Sequence, residues 1–327
     1  MCSHPSLLKG DSPVAVSETK HTYGGQAVIE GVMIRGQRHV SVAVRRPDGG
    51  IATMCKPLGA FFIGPPRKIP LIRGVVALVE TLTLGMRALS YSANVAAEAE
   101  GIEIGKGAIA GMLVASLTFA IGLFFLVPVF ASSPFEGTFG SDITSNIVEG
   151  AIRLGLFLAY ILLIGRMKDI RRVFMYHGAE HMTVHVQEHA EPLTVDSVRK
   201  YSTAHPRCGT AFLLVVMVVA VLAFIFVSRD PFWWLIASRI VFVPLIAAVS
   251  YEVIRWSGRN TGNPWVRLVT GPSLALQALT TRQPDDDQIE VAIHAMKHAI
   301  SVDQGITGAE DSSERGKAEE WEVPNPG

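Results

Sequence analysis

The sequence predicts an α-helical polytopic membrane protein with about four transmembrane helices and a small N-terminal β-containing part in the cytosol. Hydrophobic residues make up 49% of the 327 residues and charged residues only 18%, whereas a soluble domain carries about a quarter charged residues. Long apolar runs, two of them uncharged, occupy the middle of the chain, and a short alternating apolar and polar pattern precedes them. These observations together favour helices in lipid attached to a small sheet.

The sheet is predicted within residues 21–106, after a disordered N-terminus at residues 1–20. Apolar and small or polar residues alternate from Val40 to Val44, and the PDGG sequence at Pro47–Gly50 supplies a turn. Ile51–Met54 would then return as the second strand of a β-hairpin.

Residues 69–97 are predicted to form an amphipathic helix. Arg73, Glu80 and Arg87 recur every seven residues, so they share one helix face. We expect this helix to lie on the membrane surface with these charges in water.

The transmembrane domain is predicted at residues 107–254. Gly107–Ala131 is uncharged and long enough to cross the ~30 Å hydrocarbon core of a bilayer. Three further apolar runs span about Asn146–Gly165, Gly209–Ser228 and about Trp233–Ile254. Two of these carry arginine, Arg153 and Arg239, close to a span end. We expect both side chains to extend toward the membrane surface.

Basic residues predict the orientation. Residues 132–145 contain no lysine or arginine, whereas residues 166–208 contain seven. The positive-inside rule therefore places the 166–208 loop and both termini in the cytoplasm, with the protein in the cell (inner) membrane. The seven residues are Arg166, Lys168, Arg171, Arg172, Arg199, Lys200 and Arg207.

The C-terminal part is predicted to be a cytosolic helical region, residues 255–300, followed by a disordered tail, residues 301–327. Asp285–Asp287 favour a helix start, and the apolar residues after them recur on one helix face. We expect this helix to pack on the cytosolic part.

Net charge and cysteine content limit which partners and which cellular compartment are expected. The formal net charge is zero, which gives no reason to expect nucleic acid. The three cysteines are scattered, so they form no disulfide framework and suit a reducing compartment. The expected partners are membrane lipid and an unidentified substrate.

The strongest functional motif is the H-x-x-E-H pattern in YHGAEH, Tyr176–His181. On a helix, His177 and His181 project from one face with Glu180 beside them. Two imidazoles one turn apart can hold a divalent metal, most plausibly zinc, and Glu180 could act as the catalytic base. The same pattern is the signature of the inverted zincins.

Further metal ligands are needed. HPRCG offers His205 and Cys208 at the start of the third span, and SYEVIRW offers Glu252 in the fourth. Each also has a structural interpretation, as a capping turn or an interfacial carboxylate. His185 and His189 are expected at the surface, because MTVHV favours a strand after His181.

Five motifs together resemble those of the YqhQ-like bacterial membrane family of unknown function, which is commonly labelled a predicted metal-dependent enzyme. The likeness covers about residues 22–300. It implies a metal-dependent activity and adds weight to His177, Glu180, His181, His205, Cys208 and Glu252, since each lies inside a shared motif. The motifs are GGQAVIEGVMIRG, YHGAEH, HPRCGTAFL, SYEVIRW and TTRQPDDDQIEVAIHAMK.

Three functions remain open from the sequence. The first is a membrane-bound metallohydrolase with Glu180 as base. The second is a scaffold or assembly factor with a structural metal. The third, transport of metal or haem, is less favoured because the uncharged runs Gly107–Ala131 and Gly209–Ser228 offer few polar groups in mid-span.

Overall fold

The computed structural model describes residues 23–98, 105–135, 141–206, 208–260 and 263–306. The segment predicted to be disordered at residues 1–20 lies outside this range, as does all but the beginning of the predicted tail. The last helix continues to Asp303, three residues into that tail.

The N-terminal part is a four-stranded antiparallel meander, with strand order β1-β2-β3-β4. The predicted hairpin is confirmed as β3 (His39–Arg45) paired with β4 (Ile51–Pro57). A second hairpin precedes it, formed by β1 (Gly24–Val28) and β2 (Gly31–Arg35). Glu30 lies in its two-residue turn with a positive φ of 52°.

Both faces of the sheet are covered, so the two central strands are buried over most of their length. On one face, helix α1 (Ile72–Ala97) packs through Leu84 and Ala88 against Val42 and its neighbours. On the other face, helices α4 (Lys168–Glu188) and α9 (Asp286–Asp303) pack against residues such as Val32, Ile34 and Ala43. The predicted acidic start of α9 is confirmed as a capping box between Asp285 and Gln288.

The prediction that the charges of α1 lie in water is wrong for two of them. Glu80 is 4% exposed and accepts hydrogen bonds from Arg35 and Arg67. Arg73 pairs with Glu252. These two charges are therefore paired with residues on other elements of the protein rather than with water.

Within the described residues, two helices are long and apolar enough to cross a membrane, so the predicted four spans are not confirmed. The first, α2, begins at Lys106–Ile121, passes through a π-helical turn at Gly122–Leu126 and continues to Phe135. The second, α3, is Asp142–Ile164.

The other two predicted spans are short or broken. Helix α5 (Gly209–Phe224) has 16 residues, about 24 Å at 1.5 Å per residue, which is less than the ~30 Å core. The last apolar run divides into α6 (Phe232–Val241) and α7 (Val243–Arg259), bent by 42°. Pro244 starts the second piece, as expected of a residue without an N–H. If this bent pair counts as one span, there are three.

Arg153 and Arg239 do not extend toward a surface as predicted. Both are buried and donate to Glu149, which is 1% exposed, and Arg229 joins them on the same carboxylate. Asn146 accepts from Arg229 and Arg239. We call these five residues the Glu149 network. The π-helical turn of α2 contributes the carbonyl oxygen of Phe124, 2.9 Å from Arg153 Nε.

Helix α8 (Pro264–Thr280) lies within the predicted helical region at residues 255–300. Gln277 on this helix is fully buried. Its side chain accepts a hydrogen bond from the His205 N–H and donates one to the His205 carbonyl oxygen, both at 2.8 Å. The connection between α4 and α5 is therefore fastened to α8, close to where α5 begins.

Candidate metal centre

Helix α4 carries the H-x-x-E-H motif and is longer than predicted. The expected strand after His181 is absent, because the helix continues to Glu188. Val184 and Val186 within MTVHV are buried in the core shared with α9 and the sheet. Burial of these β-branched residues outweighs their preference for strands.

His177 and His181 lie side by side, with ring centroids 4.3 Å apart. His177 Nδ1 is 2.9 Å from the carbonyl oxygen of Thr280, and His181 Nδ1 is 2.6 Å from that of Thr203. Because a carbonyl oxygen only accepts, each Nδ1 carries the proton and each Nε2 keeps its lone pair. Metal-binding histidines are commonly oriented by this kind of bond.

Cys208 completes a group of three. It is the N-cap residue of α5, where its Sγ accepts from the Thr210 N–H, and Sγ lies 3.1 Å from His177 Nε2. One ligating atom from each of His177, His181 and Cys208 lies within 4.8 Å of the other two. We call these three residues the His–Cys group.

The donor atoms of this group fit a metal ion. His181 Nε2 is buried and has no hydrogen-bond partner among the described residues. An unsatisfied buried acceptor costs about 1–3 kcal/mol, and a cation at the centre of the group would satisfy it. Two imidazole nitrogens and a thiolate are ligands that zinc takes in proteins.

Glu180 lies beside the His–Cys group and is 4% exposed. Its Oε2 is 3.5 Å from His181 Nε2, and it accepts a hydrogen bond from the Gly25 N–H of β1. Burial raises the pKa of this carboxyl, and its electrostatic interactions with His177 and His205 oppose that rise. A deprotonated carboxylate here would be stabilised by further positive charge at the His–Cys group.

Gly25 is required by the close approach of β1 to Glu180. A Cβ at this position would lie 2.6 Å from the Met33 carbonyl oxygen and 2.7 Å from Glu180 Cγ. We expect Gly25→Ala to lower the free energy of unfolding by about 1–3 kcal/mol and to displace the Glu180 carboxylate. Thermal unfolding of the detergent-purified protein measures the first effect. Gly24→Ala is the control, since no atom of the described residues lies within 4 Å of a Cβ added there. Equal melting temperatures for the two variants would contradict the predicted steric cost at Gly25.

His205 does not join the His–Cys group. Its Nε2 lies 3.4 Å from Glu188 Oε2, and its ring centroid is 4.6 Å from that of His185. His185, which was expected at the surface, is half-buried, and its Nε2 is 2.9 Å from the Ala204 carbonyl oxygen. Burial lowers the pKa of both His185 and His205, which favours neutral imidazoles. His189 is exposed, as predicted.

Glu252 is also not brought to the His–Cys group. Its carboxylate accepts hydrogen bonds from both Arg73 Nε, at 2.7 Å, and Arg73 Nη2, and from the Leu71 N–H at 3.1 Å. Glu30, in the turn between β1 and β2, pairs with Arg172 and Tyr176. Both carboxylates therefore have partners that fasten elements together.

Several groups that shape the site cannot be identified from the sequence. The Thr203 and Thr280 carbonyls are backbone groups, and any residue could supply them. Gly25 is far from the motif along the chain, and only its contact with Glu180 reveals its role. Glu188 could have been suspected from the sequence, because it lies three residues after His185 on a helix.

Comparison with known proteins identifies the family. Residues 69–302 match a family model described as "Protein of unknown function (DUF1385)". The chain is 33% identical over 295 residues to the "Uncharacterized protein YqhQ" of Bacillus subtilis (strain 168), covering 86% of this chain and 93% of that relative. No solved structure matches. The chain therefore belongs to the DUF1385 family, whose YqhQ-like members have no established function.

Proposed function

We propose that this protein is an integral membrane enzyme that depends on a divalent metal, zinc, held by His177, His181 and Cys208. One observation carries the proposal: the buried Nε2 of His181 has no hydrogen-bond partner among the described residues, and it belongs to one group with His177 and Cys208 whose ligating atoms lie within 4.8 Å of one another. Three protein ligands leave a fourth position for water or substrate, which is the arrangement of catalytic zinc.

The reaction class that fits is hydrolysis. Zinc bound by such ligands polarises a carbonyl or phosphoryl oxygen and lowers the pKa of its water to about 7. Glu180 would accept the proton of the attacking water and pass it to the leaving group. The Gly25 N–H holds this carboxylate in place, and His177, which is more exposed than Glu180 and His181, marks the side from which a substrate can approach.

Burial of the site favours a second candidate function. Glu180 is 4% exposed, His181 2% and Cys208 7%, and structural zinc sites are closed four-ligand shells. If Glu180 served as the fourth ligand, the metal would fasten α4 to the start of α5. The protein would then be a membrane scaffold or assembly factor.

Glu180→Gln separates the two functions. For the enzyme, we expect the variant to keep its metal and its fold but to lose activity, because an amide cannot accept the proton. Zinc content of the detergent-purified protein measures whether the metal is kept, and complementation of a deletion strain measures activity. In the complemented cells, untargeted profiling of lipids and metabolites should show a substrate accumulating. Loss of metal from Glu180→Gln would support the scaffold, and full complementation would rule out Glu180 as a base.

We further propose that the protein resides in the cell membrane with both termini in the cytoplasm. The basic residues of 166–208, against none in 132–145, support this orientation. The metal site would then face the cytosol, and the membrane lipid would be a permanent partner. No charge feature suggests nucleic acid.

This orientation predicts where the connections lie. Single cysteines introduced at residues 185–195 should be protected from a membrane-impermeant thiol reagent in intact cells and become reactive after permeabilisation. Cysteines introduced at residues 135–140 should react in intact cells. Labelling of the 185–195 set from outside would contradict both the orientation and the cytosolic site. Of the three natural cysteines, Cys55 and Cys208 are buried, and Cys2 is replaced by serine in every variant to keep the background low.

A further inference from the structure

A second group of ligating side chains lies further along α4, outside the proposed catalytic site. One ligating atom from each of His185, Glu188 and His205 lies within 4.8 Å of the other two. His185 and Glu188 come from the last turns of α4, and His205 comes from the connection before α5. The H-x-x-E-H motif and the His–Cys group use none of them.

The two imidazoles are held in place by their surroundings. His185 Nε2 lies 2.9 Å from the Ala204 carbonyl oxygen, so it donates there and Nδ1 keeps the lone pair. Tyr201 stacks on the same ring, with centroids 5.6 Å apart and planes 10° from parallel. Gln277 fixes the backbone of His205 through two hydrogen bonds. Such support from neighbouring groups is typical of metal ligands.

Glu188 is more accessible than His205: 22% of its side chain is exposed, against 5% of the His205 side chain. Its Oε2 is 3.4 Å from His205 Nε2. His205 is 4% exposed, and burial disfavours a charged imidazolium. A simple ion pair between the two is therefore poorly stabilised, whereas a cation between a neutral imidazole and the carboxylate suits both groups.

We propose that His185, Glu188 and His205 form a second divalent-cation site, open to solvent and separate from the His–Cys group. Two imidazoles and one carboxylate bind ions such as Zn²⁺, Co²⁺ and Ni²⁺. The site contains no thiolate and its carboxylate belongs to a side chain that is 22% exposed, so its ion exchanges more readily than an ion held by Cys208. The rings of His205 and His181 are 5.7 Å apart, which places the two sites next to each other.

Titration with Co²⁺ tests the proposal, because the two sites differ in their ligand atoms. The probe is Co²⁺ added to the full chain, purified in detergent and stripped of metal. We expect two equivalents to bind. One produces a thiolate-to-cobalt charge-transfer band that Cys208→Ser removes, and the other produces only weak d–d absorption.

Glu188→Gln is the decisive variant, since the amide has the volume of the carboxylate and the side chain is only partly buried. We expect it and His185→Ala to weaken the equivalent without the charge-transfer band at least about tenfold, and to leave that band intact. His189→Ala is the control, because this exposed histidine on the same helix belongs to neither group. It should retain both equivalents.

The two sites can fail separately. Binding of a single equivalent that carries the charge-transfer band would overturn the second site and leave the His–Cys centre standing. Retention of wild-type affinity for two equivalents in both Glu188→Gln and His185→Ala would also overturn the second site. Binding of a single equivalent without the band, lost in Glu188→Gln, would support the second site and count against the proposed function.

Discussion

Replacing His181 with alanine is expected to weaken zinc binding at the His–Cys group by more than about a hundredfold. The substitution removes a buried nitrogen that has no hydrogen-bond partner in the described part of the chain, and His177 and Cys208 alone cannot close a shell around the ion. Zinc content after dialysis against a weak chelator measures the loss, and the cobalt charge-transfer band gives an independent measure.

The matched control for His181→Ala is His189→Ala, which changes the same residue type on the same helix at an exposed position. It should bind zinc as the wild type does. Cys208→Ser should behave like His181→Ala, since a hydroxyl is a much poorer zinc ligand than a thiolate. Undiminished binding in both His181→Ala and Cys208→Ser would show that this group is not a metal centre.

Glu149→Gln is expected to lower the free energy of unfolding by about 3–5 kcal/mol, the cost of breaking a buried ion pair from one side. Glu149 is shared by three guanidinium groups, those of Arg153, Arg229 and Arg239. A neutral amide keeps the volume but removes the charge that all three face in an apolar bundle. The melting temperature in detergent should fall by many degrees.

Glu290→Gln provides the comparison for Glu149→Gln. Glu290 also pairs with an arginine, Arg45, but 59% of its side chain is exposed. Exposed pairs contribute about 0–1 kcal/mol, so this variant should melt close to the wild type. If Glu149→Gln melted within the same margin, the Glu149 network would not be a stabilising feature of the helices.

Local patterns in the sequence predicted those parts of the structure that depend on neighbours along the chain. The turn at Pro47–Gly50 and the helix start at Asp285 are both set by residues within a few positions. The alignment of His177 with His181 follows from helical periodicity alone. The approach of Cys208 was also foreseeable, because the connection that carries it leaves and rejoins adjacent apolar segments.

The errors concern charged residues whose partners are distant in sequence. An arginine taken alone in an apolar run, such as Arg153 or Arg239, suggests only lipid or water as its environment. Their shared acceptor, Glu149, lies near one and far from the other along the chain. Glu252 and Arg73 were likewise assigned to separate roles, although each satisfies the other. A single sequence carries no sign of such pairings, since any carboxylate could serve.

Span counting failed for a different reason. Hydropathy detects apolar runs but not where a helix breaks within one. Pro244 was visible in the last run, yet the two pieces on either side of it differ in direction by 42°. The apolar run beginning at Gly209 contains enough residues to cross a bilayer, but its helix ends at Phe224.

The position of α9 has a consequence for how the chain folds as it leaves the ribosome. Val32 and Ile34 of β2 are among the earliest residues synthesised, yet they share a core with Ile289 and Met296 of α9, the last helix described. At about 5–20 residues per second, that face of the sheet waits many seconds for its cover. Until α9 arrives only α4 can cover that face, and the apolar side chains that α9 buries stay in water. We therefore expect early translation products to need a chaperone, and a protein truncated before Asp286 to be degraded although its metal ligands are complete.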